Sequence, residues 1–265
     1  MNYVLEPLTL EKLKNIFDKK ALEIFEFQLK KSVFAQPEII PGQENYRLQI
    51  TKEYLEQWCV QAIQATPIGS GSYPVDIIKD NWGADVKAMA CSLDSEGNLN
   101  DGDTGETSLA QKFQETGDNL DDLFKNKKYD EIKNGWMEII RKKNQSVITE
   151  KNLKNIYYFF FLRGNNNYYL CGVEFFIDRL NIVKVNSKRT TESSVFLENY
   201  IDENFGYAKI YKAKKRLELR LKAKNLVNSG YCIKIDIPKS LNPIHLRNEN
   251  LDEYLEKIVM DFFKK

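Results

Sequence analysis

The feature that most constrains the fold is Ile156-Tyr-Tyr-Phe-Phe-Phe-Leu162, the longest uninterrupted apolar run in the chain. It has the length of a strand and falls far short of the roughly 18 residues that cross a membrane. A strand with one wet face alternates polar and apolar residues, so an unbroken run predicts a strand buried on both faces. Such a strand needs a sheet around it and cover on either side. Gly164-Asn-Asn-Asn167 follows, and residues 168–177 resume a strand pattern, which predicts a hairpin over 154–177.

The remaining periodicities supply the cover. Residues 8–31 and the Thr51-capped stretch 51–65, stopped by Pro67, carry apolar residues three and four apart and predict helices. Residues 108–124, 130–143 and 251–263 predict three more. Residues 73–93, with a turn at Asp80-Asn81, predict strands, as do 182–185, 207–224 and 231–237. The Gly69-Ser-Gly71-Ser segment lacks the lysine of a phosphate-binding loop and predicts a turn. Together these elements predict an α/β fold with a mixed central sheet flanked by helices. No linker or repeat interrupts the 265 residues, so one domain over 1–265 is expected. Its parts would be a helical 1–68, a strand pair with following helices at 69–150, a strand-rich basic 151–248 and a closing helix at 249–265.

Several chemistries are excluded. His245 is the only histidine, so catalysis or metal binding through paired histidines is ruled out. Cys59, Cys91, Cys171 and Cys232 form no CxxC pair, which argues against a zinc knuckle and for reduced thiols in a cytoplasm. The N-terminus carries acids where a secretory signal would carry bases, and no membrane span is expected. The acidic stretch 94–106 has Leu99 and Gly105 where a calcium loop needs Gly and Glu, so it reads as a surface loop.

Asp76, Asp85 and Lys87 stand out, because charged residues are placed inside otherwise apolar strand patterns. Residues two apart on a strand share a face, so Asp85 and Lys87 point the same way while Val86 points away. Antiparallel pairing across the turn would bring Asp76 to that face. Two carboxylates suit a hard cation such as Mg2+, and a lysine beside them suits charge stabilisation at a phosphate.

At these residues the chain resembles the PD-(D/E)XK nuclease superfamily, and within it the type II restriction endonucleases. Asp76 matches the first acid of the pattern, Asp85 the second and Lys87 the lysine. Val75 separates Pro74 from Asp76, and the spacer from Asp76 to Asp85 is only eight residues, enough for a tight hairpin. The resemblance implies a restriction-endonuclease-like fold and Mg2+-dependent hydrolysis of double-stranded DNA. It implies Asp76 and Asp85 as catalytic metal ligands with Lys87 as charge stabiliser. Some members add an acid from the preceding helix, for which Glu56 is the candidate and Glu53 the alternative. A homodimer is expected from the family and from the symmetry of a palindromic site.

The formal net charge is only +1, but acids predominate in residues 1–150 and bases in 151–265. The stretch 209–224 holds eight bases: Lys209, Lys212, Lys214, Lys215, Arg216, Arg220, Lys222 and Lys224. Its alternation from Arg216 onward puts Leu217, Leu219 and Leu221 on one face and the bases on the other. That wet face is the expected DNA-binding surface. The rival readings are a DNA-binding protein without catalysis and a nuclease toxin or repair enzyme of the same fold.

Overall fold

The computed structural model describes residues 2–43, 47–68, 73–111, 113 and 119–263; the turn expected at 69–72 lies outside them. The chain opens with β1 (Leu5–Pro7), α1 (Leu10–Ile16), α2 (Lys19–Phe34) and α3 (Lys52–Ile63). Next come β2 (Thr66–Pro67), β3 (Ile77–Lys79), β4 (Trp82–Ala90), β5 (Thr107–Gln111), α4 (Leu120–Lys125) and α5 (Tyr129–Lys151). The β6 (Asn155–Arg163) and β7 (Asn167–Phe175) hairpin leads through a short 3-10 turn to β8 (Lys184–Val185) and β9 (Ser194–Glu198). The rest is β10 (Gly206–Tyr211), β11 (Arg216–Leu221), α6 (Ala223–Asn228), β12 (Cys232–Asp236) and α7 (Leu251–Phe263).

The main sheet runs β1-β7-β6-β4-β3-β2, with β12 also on the outer side of β7. Strand β4 pairs with β6 in parallel, whereas β6 and β7 are antiparallel, so the sheet is mixed. A second sheet runs β5-β11-β10-β9-β8. Strand β6 sits in the middle, and its side chains alternate between two cores. Tyr157, Phe159 and Phe161 join α1, α2 and α3, where Phe159 meets Phe17 edge-on at 4.9 Å and Phe161 meets Phe25 at 5.3 Å. Ile156, Tyr158, Phe160 and Leu162 join α5 and the inner face of the second sheet. The expectation of a strand buried on both faces and of a mixed sheet between helices therefore holds.

Other expectations need correction. The helix over 8–31 is two helices, because Asp18 accepts a hydrogen bond from the Ala21 amide and caps a new helix just after Phe17. The helix over 108–124 is instead strand β5, paired with β11, followed by the short Asn119-capped α4. The strand over 207–224 is a hairpin: β10 and β11 pair antiparallel, the turn between them needs a positive φ at Lys215 (44°), and helix begins at Ala223. The turn is built of lysines and carries none of the usual Gly or Asn signals, so it is hidden in the sequence. Half of 182–185 lies outside a strand, only Lys184–Val185 pairing with β9. Strands β1 and β9 have no counterpart among the expected elements.

Phe159 is fully buried between Phe17, Trp82 and Tyr157. Phe159→Ala should lower stability by about 3–5 kcal/mol in urea unfolding, the scale of a large cavity in a packed core. A loss below about 1 kcal/mol would mean that the α1–α2 layer does not seat on this strand.

Candidate functional site

The β3–β4 ladder is short. Ile77 pairs with Ala84, Asp76 N–H donates to the Ala84 carbonyl at 2.8 Å, and the ladder then ends. The next amide on β4, that of Val86, donates instead to the Asp76 carboxylate at 2.7 Å (Oδ2). Asp76 thus replaces a strand partner where the two strands part, and its carboxylate is fixed at the split. The turn that joins the strands has Asp80 at φ 51°, a conformation Asp tolerates better than most residues.

Asp85 stands on β4 next to the split, with Lys87 two residues on. Ala84 and Val86 point into the core under α3, so Asp85 and Lys87 share the opposite face. Lys87 Nζ lies 2.7 Å from Asp85 Oδ2. Asp85 is buried (8% exposed), and its Oδ1 has no hydrogen-bond partner. The expected convergence of Asp76, Asp85 and Lys87 is present.

A residue outside the sequence motif completes the site. Lys52, in the first turn of α3, places its ammonium 2.7 Å from Glu56 Oε1, 3.1 Å from Asp76 Oδ1 and 3.8 Å from Asp85 Oδ1. Lys52 and Glu56 are one helical turn apart and share a face, a relation readable from the Thr51 cap. Nothing in the sequence indicates that Lys52 reaches a carboxylate 24 positions away. Glu56 is therefore beside the site, whereas Glu53 is exposed.

The electrostatics follow from burial. Loss of water pushes the Asp85 carboxyl up to about 7, against the attraction of Lys87 and with the Asp76 charge adding to the rise. Asp76 goes the other way: burial opposes its charge, but the adjoining Asp85 carboxyl, the hydrogen bond from the Val86 amide and Lys52 beside it hold it below the usual range. Burial works against the Lys52 ammonium, yet the surrounding carboxylates raise its pKa well above the ordinary lysine value.

The donor set fits a hard divalent cation that keeps several waters and takes one or two carboxylates. The fit rests on the all-oxygen chemistry and on the orphaned, buried Asp85 Oδ1. Among the described residues, no three acidic, histidine or cysteine side chains are grouped to hold a metal. Asp76 and Asp85 are accordingly the pair that would serve, with Glu56 on the far side of the Lys52 ammonium.

The expected DNA-binding residues lie on the second sheet, and most of their charge is answered within the fold. Glu106 pairs with Lys214, with Arg216 at 3.0 Å and with Arg220 at 2.8 Å. Arg216 also meets the buried Glu218 at 2.7 Å, and Lys209 lies 3.9 Å from it. Lys215 pairs with Asp121 and Lys224 with Asp101. Lys212 sits over the Phe124 ring. Lys222 is half-buried where β11 passes into α6. His245 is exposed near the C-terminal helix, far along the chain from the carboxylates. All four cysteines are free thiols, and no described helix is long and apolar enough to cross a membrane.

No family model, curated protein or solved structure matches the chain.

In chelator at pH 8, Asp76→Ala should lose about 1–3 kcal/mol, because it strips a partner from the buried Val86 amide. Asp85→Asn should cost less, since it removes a poorly solvated charge. Asp85 binds its proton more tightly folded than unfolded (about 7 against roughly 3.9), so the native protein loses stability as pH rises across that window. Asp85→Asn should flatten that decline between about pH 4 and 7 in urea titrations. An unchanged slope would show that Asp85 stays ionised.

Proposed function

We propose that the chain is a Mg2+-dependent endonuclease of double-stranded DNA, with a restriction-endonuclease-like sheet, acting in a reducing cytoplasm as a homodimer on a short two-fold site. The observation that carries this reading is the parting of β3 from β4, which sets Asp76, Asp85 and Lys87 on one face with one oxygen of each carboxylate uncommitted to backbone or Lys87. The arrangement of an acid, a second acid and a lysine across two adjoining strands supports the resemblance carried by the sequence motif.

In this mechanism Asp76 and Asp85 would hold the cation. When bound, it supplies Lewis-acid polarisation of a phosphoryl oxygen and acidification of a water. Asp76 is oriented by the Val86 amide and Asp85 by Lys87, so neither carboxylate needs to rearrange to present its second oxygen. Lys87, 14% exposed and fixed on the strand, would meet the negative charge that grows on the phosphate as the ester breaks. Phosphate positioning would fall to the β10–β11 turn, where Lys214 and Lys215 are exposed.

One observation favours the rival reading of a non-catalytic DNA-binding protein: Lys52 and Lys87 already neutralise much of the carboxylate cluster. Plasmid digestion in Mg2+ separates the two. Discrete fragments support a site-specific endonuclease, a smear supports a toxin or repair nuclease, and intact plasmid supports the rival. Lys87→Ala should slow single-turnover cleavage by roughly 10²-fold or more while DNA binding in Ca2+ persists. Full activity would remove Lys87 from the site.

The turn lysines have their own test. Replacing Lys214 and Lys215 by alanine should weaken DNA binding and reduce its salt dependence by about one unit of slope for each phosphate that is no longer neutralised. An identical slope would exclude this turn from the interface.

A further inference from the structure

Each carboxylate of the site has one oxygen already committed. Asp76 Oδ2 accepts from the Val86 amide, and Asp85 Oδ2 faces Lys87. The oxygens left to bind a cation are Asp76 Oδ1 and Asp85 Oδ1, and both are turned to the Lys52 ammonium, at 3.1 and 3.8 Å. The approach to Asp85 Oδ1 is too long for a hydrogen bond, so that buried oxygen is neutralised but not satisfied. Lys52 has a partner of its own in Glu56, one turn along the same helix, at 2.7 Å. Its side chain is 39% exposed, and its four-carbon stem can turn outward while the Glu56 pair persists.

From this geometry we infer that Lys52 is a tethered competitor of the divalent cation, occupying its two carboxylate oxygens until it is displaced. The inference rests on the metal-binding reading above. An ammonium and a divalent ion cannot share two oxygens, since like charges a few ångströms apart in a partly buried site repel strongly. Metal binding must therefore drive the ammonium out, and the apparent affinity is reduced by the fraction of molecules in which Lys52 holds the site. The same lysine offsets part of the repulsion between Asp76 and Asp85 when no metal is bound. The carboxylates can thus be assembled before the cation arrives.

The test is binding, not turnover. Mg2+ would be titrated calorimetrically, and Mn2+ by its electron paramagnetic resonance signal, into the wild-type chain, Lys52→Met, Lys52→Gln and Lys52→Arg. The two neutral variants should bind both ions at least tenfold more tightly, whereas Lys52→Arg, which keeps the charge, should bind as weakly as wild type. Circular dichroism identifies which neutral variant is folded, and either one suffices. Equal or weaker binding by a folded neutral variant overturns the inference and leaves the metal site standing. Binding by none of the four chains overturns both.

Discussion

The structure depends on burying β6 on both faces. Seven successive apolar side chains cannot be hidden by a single layer, so the chain supplies α1, α2 and α3 on one side and α5 with a second sheet on the other. Parallel pairing of β4 with β6 has a further consequence. Parallel neighbours need a long crossover, and this one contains β5, α4 and α5. Strand β5 is thereby carried out of the main sheet to pair with β11, which joins the two sheets across one continuous core. Asp85 and Lys87 sit on the strand that this pairing holds in the interior. Their backbone is paired to a strand buried on both faces.

The charge asymmetry of the sequence has a structural explanation. The acidic stretch around residues 94–121 and the basic stretch 209–224 are distant in sequence but meet at the second sheet. Glu106 gathers Lys214, Arg216 and Arg220, while Asp121 and Asp101 take Lys215 and Lys224. The excess charges of the two halves thus partly neutralise each other. A polyanion approaching this face would meet the exposed turn, not a bare cationic strand, and the exposed pairs of Lys215 and Lys224 exchange partners at small cost.

What could be read in the sequence was whatever a short-range pattern encodes. The run at 156–162, the Thr51 cap and the Asp80 turn each signal their structure within a few residues, and each appears where expected. The face shared by Asp85 and Lys87 follows from a period of two. Where pattern failed, a tertiary partner had decided. Residues 107–111 form a strand because β11 lies beside them, and nothing in the local sequence favours that over helix. The 209–224 stretch looks continuous because its turn is built of lysines, residues that also populate strand edges. Lys52 is invisible for the same reason: one lysine among many, its role set entirely by what folds in front of it.

The site shows why such a residue belongs there. Asp85 lies within an apolar strand, where an isolated carboxylate would be neutralised by taking a proton instead of remaining charged. Its neighbour Asp76 makes this worse, since two carboxylates near one another disfavour joint ionisation. Lys87 compensates one oxygen of one acid only. Lys52 adds a second positive charge, which limits the rise without cancelling it: the Asp85 carboxyl still stands at about 7. Lys52 supplies that positive charge from a mobile stem, anchored by Glu56 outside the pair. In the proposed metal site a fixed lysine at the same point would block the cation, and none at all would push the Asp85 carboxyl higher still. A counter-charge on a flexible side chain at the first turn of α3 limits that rise and, for the proposed cation, leaves the carboxylate oxygens open to exchange.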